Sequence, residues 1–236
     1  MFNSRSTMIL TLFAAILNAP GVGRADEPAS DALELKKGDS IIFFGDSLTE
    51  LAGREAPKQH VTKGYVRIVA EKLAAKHPDK ELKVDWVATG GHTVPDLLKR
   101  VDKDVIARKP TIVVIQIGCN DARRIPKDRF RAGLEELIDK LQAANIHVVQ
   151  CSLTSVGEKY DGTNKDDPNL EAFAQAAREV AKEKKVPLND LRKAFVDYWK
   201  RQNPDNKPSG ILTYDGNHFN QMGHDFVAEQ MLRMFR

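Results

Sequence analysis

Short apolar runs alternate along the chain with stretches whose apolar residues recur every three or four positions. The runs are Ser40 to Phe44, Lys83 to Ala88, Thr111 to Ile117, Ile146 to Cys151 and Val186 to Leu188. They predict five β-strands. Between them, Val66, Val69, Ala70 and Leu73 share one helical face, as do Phe130, Leu134, Leu137, Ile138 and Leu141. Each return to a parallel strand needs a crossover long enough to hold a helix, so a β-α-β-α order predicts a parallel sheet with helices on both faces. The expected fold is therefore α/β, a three-layer α/β/α sandwich on a five-stranded parallel sheet. In such sheets ligands bind beyond the carboxyl ends of the strands, near the point where the strand order reverses. The residues just after each strand are the ones to inspect.

The first 25 residues follow a different pattern. Arg5 supplies a positive start, Met8 to Leu17 is apolar, and Gly23-Arg24-Ala25 places small residues at the third and first positions before a cleavage point. This is the layout of a secretory signal peptide. A membrane anchor is the competing reading, but about ten apolar residues fall short of the roughly 20 that span a bilayer. Cleavage after Ala25, a polar linker over 26–39 and one domain over 40–236 are expected. With no cysteine beside the cleavage point and no Arg-Arg pair before the apolar run, the expected destination is the periplasm or the medium. No stable membrane insertion of the mature chain is expected, and a monomer is.

The 236 residues carry 36 basic and 33 acidic side chains, a formal charge of +3. No basic tract is concentrated enough to suggest a nucleic-acid partner. The two cysteines, Cys119 and Cys151, each fall near a strand end. In an oxidising compartment they form a disulfide or stay as two buried thiols, and the sequence leaves both open. A polar loop is expected over Ser155 to Asn169, rich in charge and punctuated by Gly157, Gly162 and Pro168.

The first strand runs directly into Gly45-Asp46-Ser47-Leu48, where a serine emerging from the sheet is well placed as a nucleophile. Taken alone, Ser47 is as readily a helix or turn cap. Three further blocks change the balance: Gly90-Gly91-His92-Thr93, Gly118-Cys119-Asn120-Asp121 and Asp215-Gly216-Asn217-His218. The four blocks, in this order and at these separations, resemble those of the SGNH hydrolases, the GDSL-type esterases and lipases. The resemblance covers essentially the whole mature chain and implies a flavodoxin-like fold and ester hydrolysis. It also implies that Ser47 is the nucleophile, His218 its base and Asp215 the orienting carboxylate. The oxyanion hole would be formed by the backbone N–H groups of Ser47 and Gly91 and the side-chain amide of Asn120. The family's spacing selects Gly91, with Gly90 the fallback.

The chemistry accounts for these residue types. A serine hydroxyl needs a neutral imidazole to take its proton, and a carboxylate on the other ring nitrogen fixes the tautomer. Glycine lets backbone approach the substrate, and asparagine donates without carrying a charge that would repel an oxyanion. Asp46 and Asp121 read as acceptors for the backbone of their own turns. His60, His77 and His147 carry no partner pattern, and His224, in the terminal helical stretch, is the one rival to His218. His92, Arg123 and Arg124 follow strands and either line the cleft or face solvent. No HExxH, CxxC, GxxxxGK or GxGxxG pattern occurs, so no metal and no cofactor is expected. The expected substrate is a small-molecule or glycan ester with a short acyl group, because the loops after the motif strands are charged and no long apolar lid is visible. A lysophospholipase or lipase is the alternative, and an inactive carbohydrate-binding relative a third.

Overall fold

The computed structural model describes residues 29, 31–55 and 61–236. The expected signal peptide, residues 1–25, and His60 lie outside them. The strands are β1 (Ser40–Gly45), β2 (Lys83–Ala88), β3 (Ile112–Gln116), β4 (His147–Cys151) and β5 (Leu188–Asn189), all parallel, in the order β2-β1-β3-β4-β5. This is the flavodoxin-like order, whose reversal falls between β1 and β3. The interior strands β1, β3 and β4 are buried nearly end to end, whereas the edge strand β2 alternates between exposed and covered positions. Strands buried on both faces read as unbroken apolar runs, which is why β1 and β3 were legible.

The helices are α1 (Ser47–Gly53), α2 (Tyr65–Lys76), α3 (Val94–Asp104), α4 (Asp121–Arg124), α5 (Lys127–Ala143), α6 (Asp167–Lys184), α7 (Leu191–Gln202) and α8 (Gln221–Leu232). Helices α3, α5 and α6 pack side by side, while α1, α2, α7 and α8 form the other group. Right-handed crossovers account for α1 and α2 lying apart from α3, α5 and α6: the chain steps one way from β1 to β2 and the opposite way thereafter. The predicted apolar faces point inward, with Val66, Val69 and Leu73 of α2 and Phe130, Leu134, Leu137, Ile138 and Leu141 of α5 all buried. The loop expected over 155–169 is shorter, because Pro168 sits in the first turn of α6, where its missing N–H costs nothing. No helix among the described residues is long and apolar enough to cross a membrane.

Two register facts position the site. Gly45 at the end of β1 stands opposite Ala88 of β2 on one side and Gln116 of β3 on the other. The three strands therefore end at one level, and the loops that follow them emerge together. Gly45 is also a close-approach position, since a Cβ there would lie 2.3 Å from the Gln116 carbonyl oxygen.

The stretch expected to be a polar linker contributes to the domain. Leu33 and Leu35 lie alongside the C-terminal residues, their N–H groups donating to Met234 O at 2.9 Å and Arg236 O at 2.8 Å, with Leu33 bridged to Phe235. Leu35 is 2% exposed and belongs to the core. A linker would tolerate truncation there. Leu35→Ala should instead lower unfolding stability by about 2–5 kcal/mol, read as a displaced urea midpoint, and an unchanged midpoint would restore the linker reading.

Candidate active site

Each block of the site is built by the local preferences of its own residues. At the end of β1 the backbone of Asp46 is extended and its Oδ1 accepts the Leu48 N–H at 3.0 Å, so Asp46 caps α1. Ser47 is thus relieved of the capping role and sits in the first helical turn with its hydroxyl free to face the cleft. Behind the glycine block, Thr93 and Asp96 form a capping box that starts α3. Asn120 stands at the head of the single turn α4. The block 215–218 is the tip of a hairpin: Thr213 bridges Phe219, and Tyr214 N–H donates to His218 O at 3.0 Å.

Across 171 residues of sequence, Ser47 Oγ and His218 Nε2 are 3.2 Å apart. His218 Nδ1 lies 2.7 Å from Asp215 Oδ2, while Asp215 Oδ1 accepts the backbone N–H groups of Asn217 at 2.9 Å and His218 at 2.7 Å. Partial burial works against the charged form of Asp215, but the bonds from the His218 ring and these two amides outweigh it and hold the carboxyl below its ordinary range. The Tyr214 ring lies flat on the His218 imidazole, with centroids 5.9 Å apart and planes 17° from parallel.

Opposite the serine, Gly91 takes φ +79, a left-handed conformation that glycine adopts without strain. The glycine pair is gripped from two sides. The Gly90 N–H donates to Glu50 Oε2 at 2.7 Å, and Arg124 donates to the Gly91 carbonyl at 2.6 Å. Glu50 thereby uses the N–H of the fallback glycine. Asn120 Nδ2 donates to His92 O at 3.1 Å and to Asp46 Oδ2 at 3.2 Å. The glycine loop, the nucleophile turn and the asparagine turn are thus tied to one another.

The remaining expectations separate. His224 is a core residue: its Nδ1 accepts the Tyr65 N–H at 3.2 Å, and its ring packs on Tyr65 and Phe219. Burial lowers its pKa to about 4. His77 ends α2 and His147 opens β4, both away from the strand ends that carry the site. Asp121, expected to serve its own turn, also reaches across to accept the Val94 N–H at 2.8 Å. Cys119 and Cys151 are separate buried thiols, the former 3.4 Å from Thr154 Oγ1 and the latter 3.9 Å from Met231 Sδ. Burial pushes the Cys119 thiol up to about 11 and Cys151 higher still, which leaves both unreactive. Glu50 and Arg124 acquire roles that no motif announced, although the three-residue step from Ser47 to Glu50 within α1 was a readable signal of a shared face.

Comparison with known proteins follows the same outline. The model of the GDSL-like Lipase/Acylhydrolase family matches residues 43–226. An acetylxylan esterase from Geobacillus stearothermophilus is 27% identical over 220 residues, covering 85% of this chain and 95% of that protein. An isoamyl acetate-hydrolyzing esterase from Saccharomyces cerevisiae is 24% identical over 224 residues, covering 83% and 85%. The crystal structure of an acetyl xylan esterase superposes with a TM-score of 0.76 at 34% identity, over 81% of this chain and 97% of that one.

Two carboxyls beneath the site carry a pH signature. Burial, reinforced by the proximity of Asp121, raises Asp46 from its ordinary 3.8 to about 7, and burial raises Asp121 to about 6. An acid whose pKa rises on folding binds protons more tightly folded than unfolded. Its stabilisation is complete below the unfolded value and is lost as pH climbs through the folded one. Wild-type stability should therefore lose this contribution between pH 3.8 and about 7. Asp46→Asn, which cannot ionise, should lose less over that window in urea unfolding at a series of pH values. Parallel curves for the two proteins would contradict the assignment.

Proposed function

On the premise that the chain belongs to the GDSL-like lipase/acylhydrolase family, we propose that it removes short acyl groups, above all acetyl, from carbohydrate or another soluble alcohol, using Ser47, His218 and Asp215. The observation that carries this reading is the unbroken line from Ser47 Oγ through the His218 ring to Asp215, at 3.2 and 2.7 Å. In the first half-reaction Ser47 Oγ attacks the ester carbonyl as its proton passes to His218 Nε2. The imidazolium so formed faces the ionised Asp215. His218 then returns the proton to the departing alcohol oxygen, leaving an acyl-serine. Water attacks that ester with His218 again as base, and the acid is released with Ser47 restored.

The charge on the tetrahedral oxygen is met by donors already in place. The Ser47 N–H lies in the first turn of α1, where amides have no intrahelical acceptor. The Gly91 N–H donates to no group among the described residues. Asn120 is the third donor, and its two long bonds to His92 and Asp46 would yield to a full negative charge, since charged acceptors bind about twice as strongly as neutral ones.

Two observations support an acetyl ester of a soluble alcohol. Relatives that align over most of the chain are an acetylxylan esterase and an acetate-hydrolyzing esterase. Met222 alone among the large apolar side chains of the described residues is exposed, so no broad apolar surface is present there to meet a lipid aggregate. Export directed by residues 1–25 would deliver the enzyme to polymeric substrate outside the cytoplasm.

The mature protein should hydrolyse p-nitrophenyl acetate and release acetate from acetylated xylo-oligosaccharides. Ser47→Ala and His218→Ala should each reduce kcat by at least about a thousandfold. Asn120→Ala should reduce it by about a hundred- to a thousandfold with KM little changed. A Ser47→Ala protein as fast as the wild type would refute the mechanism, and a preference for long-chain over acetyl esters would move the substrate to lipid.

A further inference from the structure

Glu158 is a fully buried acid, in a loop beside the site, that the reaction above leaves without a task. It lies in the loop after β4 at 0% exposure, and a carboxylate survives there only when its lone pairs are satisfied. All its partners come from one short segment. Oε2 accepts the Ile211 N–H at 2.7 Å, while Oε1 accepts the N–H groups of Leu212 and Thr213, both at 2.7 Å, and the Thr213 hydroxyl at 2.9 Å. Three consecutive backbone amides and a hydroxyl thus converge on one carboxyl group.

The same segment leads into the hairpin that carries Asp215 and His218. Thr213 passes the connection on: while its hydroxyl donates to Glu158, its oxygen accepts the Gly216 N–H at 3.1 Å, inside the 215–218 turn. The loop is fastened at its other points too. Gly157 N–H donates to Gly216 O at 2.6 Å, Glu158 N–H to Pro208 O at 3.0 Å, and Asn203 Nδ2 to Glu158 O at 3.1 Å. Asp215 and His218, by contrast, have side chains 42% and 27% exposed. Packing alone does not hold them, so their positions are inherited from the hairpin backbone.

We infer that Glu158 is a positioning residue for ester hydrolysis: it fixes the 211–219 hairpin so that His218 Nε2 stays within reach of Ser47 Oγ. The inference rests on the Ser47–His218–Asp215 assignment proposed above. Glu158 touches neither substrate nor reacting atoms. It acts through the direction in which His218 is presented, and misplacement by about 1 Å costs on the order of a hundredfold in rate.

The test is p-nitrophenyl acetate turnover by Glu158→Gln, with active sites counted by fluorophosphonate labelling taken to its end point. Glutamine keeps the size and one accepting oxygen but turns an NH₂ toward backbone amides that also donate. Expected is a fall of about 10- to 100-fold in kcat per labelled site with KM within about twofold of wild type. A role confined to holding the fold would lower the number of labelled sites and leave kcat per site unchanged, and that result overturns the inference. If Glu158→Gln does not fold, Thr213→Val decides. It leaves Glu158 and its three backbone donors in place and removes the relay to Gly216, so it should lower kcat about three- to tenfold, and an unchanged kcat again overturns the inference. Ser47→Ala, assayed alongside, separates the two levels. Full activity there defeats the mechanism itself, whereas its inactivity beside an unchanged Glu158→Gln defeats only the positioning role.

Discussion

Parallel pairing of β1 with β2 and β3, with Gly45 opposite both Ala88 and Gln116, is the constraint on which the site depends. Because the strands stop at one level, Ser47, Gly91 and Asn120 emerge two, three and four residues beyond them and meet above the sheet. A register shifted by one residue would turn every side chain of β1 to the other face and move the serine away from its neighbours. The close approach of Gly45 to the Gln116 carbonyl shows how little room the arrangement leaves. Once the register is set, the loops fasten to each other, Asn120 to His92 and Asp46, Arg124 to Gly91, and Glu50 to Gly90.

The acids around the cleft divide into two kinds according to their surroundings. Asp46, Asp121 and Glu158 are buried and accept backbone amides, so their task is to hold turns in place. Asp215 is partly exposed and kept ionised by His218 and two amides, which suits the proposed role of stabilising a transient imidazolium. Burial raises Asp46 and Asp121, while hydrogen bonding lowers Asp215. One chemical group thus serves as scaffold or as electrostatic partner depending on how much water and how many donors it meets.

The hairpin carrying Asp215 and His218 follows α7, far along the chain from the strands that carry the other blocks. It therefore needs its own attachment, and the loop after β4 supplies it through Gly157 and Glu158. At the opposite end of the molecule, Leu33 and Leu35 run beside the final residues and close the core.

The sequence by itself determined the succession of strands and helices along the chain, the α/β class and the four blocks, because apolar periodicity and short motifs are local properties of the chain. Buried interior strands such as β3 announce themselves as unbroken apolar runs, and a glycine, asparagine or histidine block is legible wherever it falls. It took residues 26–39 as linker because a run as short as Ala32-Leu33-Glu34-Leu35 has no partner visible in sequence, its partner being the chain's final residues. It left the cysteines open and gave Glu158 no more weight than any acid in a charged loop. Only the tertiary structure decided that His224 is core, that His218 faces Ser47, and that Glu158 is buried. Those outcomes turn on distances between residues tens to hundreds of positions apart, and such distances follow from sheet register and packing, which no local pattern encodes.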